Sequence, residues 1–227
     1  MLQIGYGAFA PTRNRGLALI VVTTVFMAGE SANAEPATIA ILGDSLVQGY
    51  GLPAEQGFVP QLQNWLNLNN IEAKVLNAGV SGDTTAGGLA RVDWTLTDDV
   101  DALVVSLGAN DALRGLDPAT ARANLDGILN AADKRTIPTL LVGIPAPGNY
   151  GPDYKATFDA IYPALSQSHG ILLYPNFLRA LTDQHDRNQA LSLYFQPDAL
   201  HPNADGVRLI VEDIGPSIAQ LADMVSR

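Results

Sequence analysis

From residue 38 onward the chain alternates short apolar runs with longer stretches in which apolar residues recur every three or four positions. Thr38–Leu42 (TIAIL), Val75–Ala78 (VLNA), Ala102–Leu107 (ALVVSL), Thr139–Ile144 (TLLVGI) and Ile171–Tyr174 (ILLY) carry almost no charge and are followed closely by Gly or Pro. Strands buried on both faces have this composition. Between them, Phe58, Leu62, Trp65 and Leu66 fall on one helical face, and Ala121, Leu125, Ile128, Leu129 and Ala132 repeat the stripe behind the cap signal Asp117-Pro118. Phe158, Ile161, Tyr162 and Leu165 predict a helix ending near His169-Gly170. Val207, Ile210, Val211, Ile214, Ile218 and Leu221 predict a last helix, bent at Gly215-Pro216. Five strand-then-helix units imply a parallel sheet covered on both faces, with right-handed crossovers. The expected fold is a single three-layer α/β/α domain.

Upstream of that pattern the chain reads as an export signal. Arg13 and Arg15 precede an uncharged apolar run, Gly16–Ala28, and Ala32-Asn33-Ala34 offers small residues for cleavage. The run is shorter than the ~20 apolar residues of a comfortable membrane span. We therefore expect residues 1–34 to be a signal peptide and residues 35–227 a single domain, delivered to the periplasm or the medium with no stable membrane anchor after cleavage.

Composition narrows the function. The 227 residues carry 13 Lys+Arg and 23 Asp+Glu, a net charge of −10. Dropping Arg13, Arg15 and Glu30 with the leader leaves 11 basic and 22 acidic residues, net −11. Such a charge repels phosphate backbones, so nucleic acid is not an expected partner. No cysteine is present, which excludes disulfides, thiolate nucleophiles and Cys-based zinc sites. No H-x-x-H or H-E-x-x-H occurs, and there is neither a G-x-G-x-x-G fingerprint nor a P-loop lysine. No metal or cofactor is expected.

In open parallel sheets ligands bind beyond the carboxyl ends of the strands. The segments just beyond the first four strands are therefore informative: Gly43-Asp44-Ser45-Leu46, then Gly79-Val80-Ser81-Gly82-Asp83, then Gly108-Ala109-Asn110-Asp111, then Pro145-Ala146-Pro147-Gly148-Asn149-Tyr150. Asp198-Ala199-Leu200-His201-Pro202-Asn203 precedes the last helix. Hydroxyl, glycine amides, carboxamide, carboxylate and imidazole are thus placed on one rim.

The GDSL run, the glycine after the second strand, G-x-N-D after the third and D-x-x-H near the end resemble the four blocks of SGNH (GDSL-type) hydrolases. NAGVSGDTTAGGLAR, GANDALRGLDP, NYGPDY and HPNADGV are similar to the bacterial periplasmic branch of acyl-CoA thioesterases, lysophospholipases and arylesterases. The resemblance implies a flavodoxin-like, doubly wound sheet of five parallel strands and a serine esterase without cofactors.

It also implies roles for named residues. Ser45 is the expected nucleophile, although a serine at that position would equally serve as a helix N-cap. Ser81 is the fallback. His201 is the expected base; His169 is better explained as a helix-end charge and His185 as part of a solvated loop. Asp198 would hold His201, against a reading as a turn aspartate, and Asp44 and Asp111 compete for that role from expected capping positions. The Ser45 and Gly79 amides and the Asn110 side chain would form an oxyanion hole. Leu113, Pro145, Tyr150 and Leu200 would flank the acyl chain. Where the family often reads Asp-Gly-Ile-His, this chain reads Asp-Ala-Leu-His, which preserves the spacing and alters the loop.

The expected function is hydrolysis of small-molecule acyl or aryl esters, with thioesters or lysophospholipids as further substrates. The alternatives are a carbohydrate O-acetylesterase, acting on polysaccharide or peptidoglycan, and a non-catalytic binding module on the same fold.

Overall fold

The apolar runs in the middle of the sheet become strands because both of their faces are covered, whereas the two edge runs are only partly buried. Along β1 (Ala37–Gly43) Ile39 and Ile41 point into one apolar layer while Ala40 and Leu42 point into the other, as the two-residue repeat of a strand requires. The computed structural model describes residues 1–2, 5, 7, 35–183 and 186–225. The chain divides into Met1–Ala34 and Glu35–Arg227. The expected signal and its cleavage site, together with His185, lie outside the described residues.

In the second unit β1 is followed by α1 (Ser45–Gln48), α2 (Phe58–Leu68), β2 (Ala73–Gly79) and α3 (Thr85–Thr95). Then come β3 (Ala102–Ser106), α4 (Ala109–Leu113), α5 (Pro118–Asp133) and β4 (Thr139–Val142). The chain continues through α6 (Pro152–Asp159), α7 (Ile161–His169), β5 (Leu172–Tyr174), α8 (Arg179–Thr182), α9 (Arg187–Tyr194) and α10 (Ala204–Val225). The strands form one parallel sheet in the order β2-β1-β3-β4-β5. This is the flavodoxin-like winding expected from the sequence.

Two apolar layers sandwich the sheet. Leu62 and Leu66 of α2 and Ile210, Ile214 and Ile218 of α10 cover one face. Leu125 and Ile128 of α5, with Phe158 and Leu165 of α6 and α7, cover the other. Each fully buried Leu, Ile or Phe contributes roughly 1.5–3 kcal/mol relative to exposure. Helix starts follow the capping signals: Asp117 accepts from the Ala119 and Thr120 amides at 3.2 and 3.3 Å with Pro118 at the first helical position.

Three features depart from the expected pattern. The helix expected near Phe158–His169 is two helices broken at Ala160. Pro163 has no amide hydrogen to donate back to the preceding turn, so α6 cannot run on through it. Gly215-Pro216, expected to mark a bend, lies inside one 22-residue helix. There the glycine lets α10 approach α2, since a Cβ at Gly215 would stand 2.7 Å from the Trp65 ring. Finally, α3 has no stripe to announce it, because Gly87 and Gly88 occupy its first turns. A Cβ at Gly88 would stand 2.2 Å from the Leu107 side chain, so at this turn the helix buries its backbone, and only Val92 and part of Leu89 add apolar side chains to the core. Among the described residues no helix is long and apolar enough to cross a membrane.

Candidate active site

Gly43, at the end of β1, is paired with Gly79 of β2 and Ser106 of β3, so the segments leaving these three strands share one rim. The winding reverses here, which opens the crevice that such sheets offer to ligands.

Ser45 is the first residue of α1, but it is not the cap. Asp44 caps the helix, accepting from the Leu46 amide at 3.0 Å. The Ser45 hydroxyl is thereby left to reach His201, with Oγ 2.8 Å from Nε2. Asp44 is wholly buried and its Oδ2 has no partner among the described residues. Burial pushes its carboxyl up to about 6, against the lowering pull of the Leu46 amide.

His201 sits on the loop between α9 and α10. That loop is pinned at its base by a Phe195–Pro202 bridge and by the Gln196 amide donating to the His201 carbonyl at 2.7 Å. The Gln196 side chain ties it to α1's flank, donating to the Tyr50 carbonyl at 2.8 Å, and the Tyr50 ring lies 4.7 Å from the imidazole. Asp198 Oδ1 accepts from the Leu200 and His201 amides at 3.0 Å each, and Oδ2 lies 2.6 Å from His201 Nδ1. Desolvation works against the Asp198 charge, but these three hydrogen bonds outweigh it and hold the carboxyl down to about 2. The turn role and the partnership with His201 are thus one arrangement. Its fold requires Ala199 at φ 56°, left-handed backbone that glycine adopts without strain and alanine does not. The missing glycine of the Asp-Ala-Leu-His segment therefore leaves strain in the loop that carries the imidazole.

The Asn110 side chain donates to the Asp83 carbonyl at 2.9 Å and accepts from Arg114 at 3.2 Å, which fixes the orientation of its amide. Gly79 is required by space, since a Cβ there would come 2.4 Å from the Gln48 amide nitrogen. Its N–H turns to the Asn77 side chain at 2.9 Å, so of the three expected oxyanion donors this one is engaged within the strand end. Beneath all three, Arg91 of α3 donates to the carbonyls of Gly43 at 2.9 Å and Ala78 at 2.7 Å, and to the Asp83 carboxylate at 2.7 Å. One guanidinium thus fastens the segments that lead into Ser45, Gly79 and, through Asp83, Asn110. Asp83 and Arg91 both stand in the NAGVSGDTTAGGLAR block, but no helical stripe announces α3, so nothing in the sequence shows that the two meet across eight residues.

The competing residues are occupied elsewhere. Ser81 Oγ donates to the Gln48 side chain at 3.0 Å. Asp111 accepts from the amide and hydroxyl of buried Thr85 at 2.9 and 2.6 Å. His169 ends α7 before left-handed Gly170 and bridges Asp126 and Asp133 at 2.9 and 2.6 Å. Desolvation opposes its charge, yet the two carboxylates raise its pKa.

A cavity of about 560 Å³ opens from Ser45 and His201. Leu113, Pro145 and Leu200 line it as expected. Tyr150 does not; it is exposed, its hydroxyl donating to the Leu113 carbonyl at 3.1 Å and its ring packing on Tyr154. Phe177 and Leu178, which complete the apolar wall beyond β5, are indistinguishable in the sequence from ordinary core positions.

A hydroxyl–imidazole–carboxylate chain thus stands at the switch point of a doubly wound sheet and faces an apolar cavity, the arrangement found in serine hydrolases. The chain belongs to the GDSL-like Lipase/Acylhydrolase family, whose model matches residues 41–209. It is 36% identical to esterase TesA of Pseudomonas aeruginosa over 81% of this chain and 89% of that protein. It is 34% identical to thioesterase 1/protease 1/lysophospholipase L1 of Escherichia coli over 82% of this chain and 85% of that protein. Among solved structures it is similar to AlinE4, an SGNH-hydrolase family esterase, with 42% identity, a TM-score of 0.67, and coverage of 82% of this chain and 97% of that one. The chain is thus an SGNH hydrolase whose relatives carry esterase and thioesterase names.

Proposed function

We propose that the protein is an exported serine esterase that cleaves small acyl and aryl esters, thioesters and lysophospholipids being further candidates. The observation that carries this reading is the continuous chain Ser45 Oγ–His201 Nε2 at 2.8 Å and His201 Nδ1–Asp198 at 2.6 Å. In the proposed reaction His201 takes the Ser45 proton as Oγ bonds to the ester carbonyl carbon. The tetrahedral oxyanion is met by the Ser45 amide and the Asn110 carboxamide, with the Gly79 amide joining by releasing Asn77. Collapse breaks the bond to the alcohol, which leaves with the proton from His201. Water, deprotonated by His201, then attacks the acyl-enzyme and frees Ser45. Asp198, held ionised, keeps Nδ1 protonated and offsets the imidazolium charge.

The apolar cavity favours an acyl chain over the bare acetyl group of an O-acetylated sugar. Export rests on the leader, Arg13 through Ala34. The test is hydrolysis of p-nitrophenyl acetate, butyrate and octanoate, with acetylated xylan as the competing substrate. Ser45→Ala should lower kcat by at least about 10⁴-fold on every ester cleaved. Activity retained near that of the unaltered enzyme overturns the assignment, and acetate release from xylan that exceeds octanoate cleavage replaces the substrate.

A further inference from the structure

We infer that the cavity ends in a subsite for a carboxylate, with Arg187 as its recognition residue, so that esters whose acyl chain terminates in a carboxylate are preferred over neutral ones of equal length. This rests on the proposed role of Ser45 as nucleophile. Among the described residues the cavity lining is apolar apart from the reaction residues, a few uncharged polar groups and one cation, and it contains no acidic side chain. That cation, Arg187, is the single arginine or lysine among the described lining residues. Its presence is notable in a domain where acidic residues outnumber basic ones two to one.

The sheet order places this charge away from the reaction. Ser45 follows β1, whereas Asn176, Phe177 and Leu178 follow β5 and lead through α8 to Arg187 at the start of α9. β1 and β5 are separated by three strand spacings, about 14 Å. An acyl chain held at Ser45 and lying along the apolar wall thus runs toward the side where Asn176, Thr182 and Arg187 supply polar contacts.

The arginine is not already neutralised. It makes no ion pair among the described residues, a state it shares with Arg114 and Arg122, neither of which lines the cavity. The neighbouring acids are engaged: Asp186 accepts from the Asn188 and Gln189 amides at 3.0 and 3.1 Å, and Asp183 accepts from Thr182 at 3.2 Å. The exposed guanidinium where the cavity ends on the β5 side matches the fork geometry of a carboxylate.

The test compares mono-p-nitrophenyl suberate with p-nitrophenyl octanoate, which has the same chain length. In Arg187→Gln the ratio of kcat/KM for suberate over octanoate should fall about tenfold, carried by KM, and in Arg187→Glu it should fall further. A ratio that stays constant across the three proteins overturns the subsite. Calorimetric titration of monomethyl suberate and methyl octanoate into Ser45→Ala keeps the test independent of catalysis: tighter monomethyl suberate binding that Arg187→Gln abolishes supports the subsite even if Ser45 is not the nucleophile. Equal binding of the two esters refutes it.

Discussion

Over β2, β1 and β3 the rim turns hydrogen-bonded polar groups toward the cavity; over β4 and β5 it turns an apolar wall toward it, its loops pinned from behind by Asp159 and Lys155 at Ala146 and by the Phe177 amide at the Gly143 carbonyl. On the first side Arg91 reaches three acceptors, Asn110 is fixed at both ends of its amide, and Asp111 is locked to Thr85. On the second, Ile144, Pro145, Phe177 and Leu178 form a wall whose contribution is area removed from water. The difference assigns different work to the two sides. Hydrogen bonds fix angles and positions, as a developing oxyanion requires, whereas apolar contact is non-directional and suits chains of variable length. Changes on the first side should therefore appear in kcat, and changes on the second in KM and chain-length preference.

The largest effect expected from this comparison is that of Asn110→Ala, which removes a fixed donor. Its kcat should fall about 10²–10³-fold with little change in KM. If KM rises instead, Asn110 binds substrate and is not an oxyanion donor. Arg91→Ala comes next. Without its guanidinium the strand ends lose their common anchor, and kcat should fall up to about 100-fold. Added guanidinium should restore part of the lost activity, and in an Asn110→Ala background the further loss should shrink. Fully additive losses would mean that the two residues act separately.

Leu178→Ala probes the apolar side. The octanoate-to-acetate ratio of kcat/KM should drop about three- to tenfold, and an equal loss on both esters would erase the distinction between the sides. The smallest effect concerns the loop that bears His201. Ala199→Gly should relieve left-handed strain and stabilise the protein by roughly 0.5–1 kcal/mol in denaturant unfolding. A destabilised variant would show that Ala199 is not strained.

The same contrast explains what could be read from the chain. The strands and the long helices are legible because burial writes a period into the residues, as in the Ala121–Ala132 stripe. Ser45, Asn110, Asp198 and His201 are legible because each stands in a short block beyond a strand. The Arg91 clamp is not legible as a contact, although Asp83 and Arg91 stand in one sequence block: it depends on α3, whose glycines hide the helix, and two of its three acceptors are backbone carbonyls that any residue supplies. The Phe177–Leu178 wall and the exposure of Tyr150 are invisible for the opposite reason, since apolar residues look alike whether they face a cavity, the core or solvent. The engagement of Gly79 by Asn77 turns on a side-chain orientation that spacing does not encode.

The central claim is that Ser45, activated by His201 and Asp198, is the nucleophile. A fluorophosphonate probe followed by intact-protein mass spectrometry and peptide mapping tests it most directly. The account predicts a single adduct per chain, on Ser45, formed by the folded protein and lost in His201→Ala. An adduct on Ser81, or none on a folded protein that still cleaves esters, would contradict it.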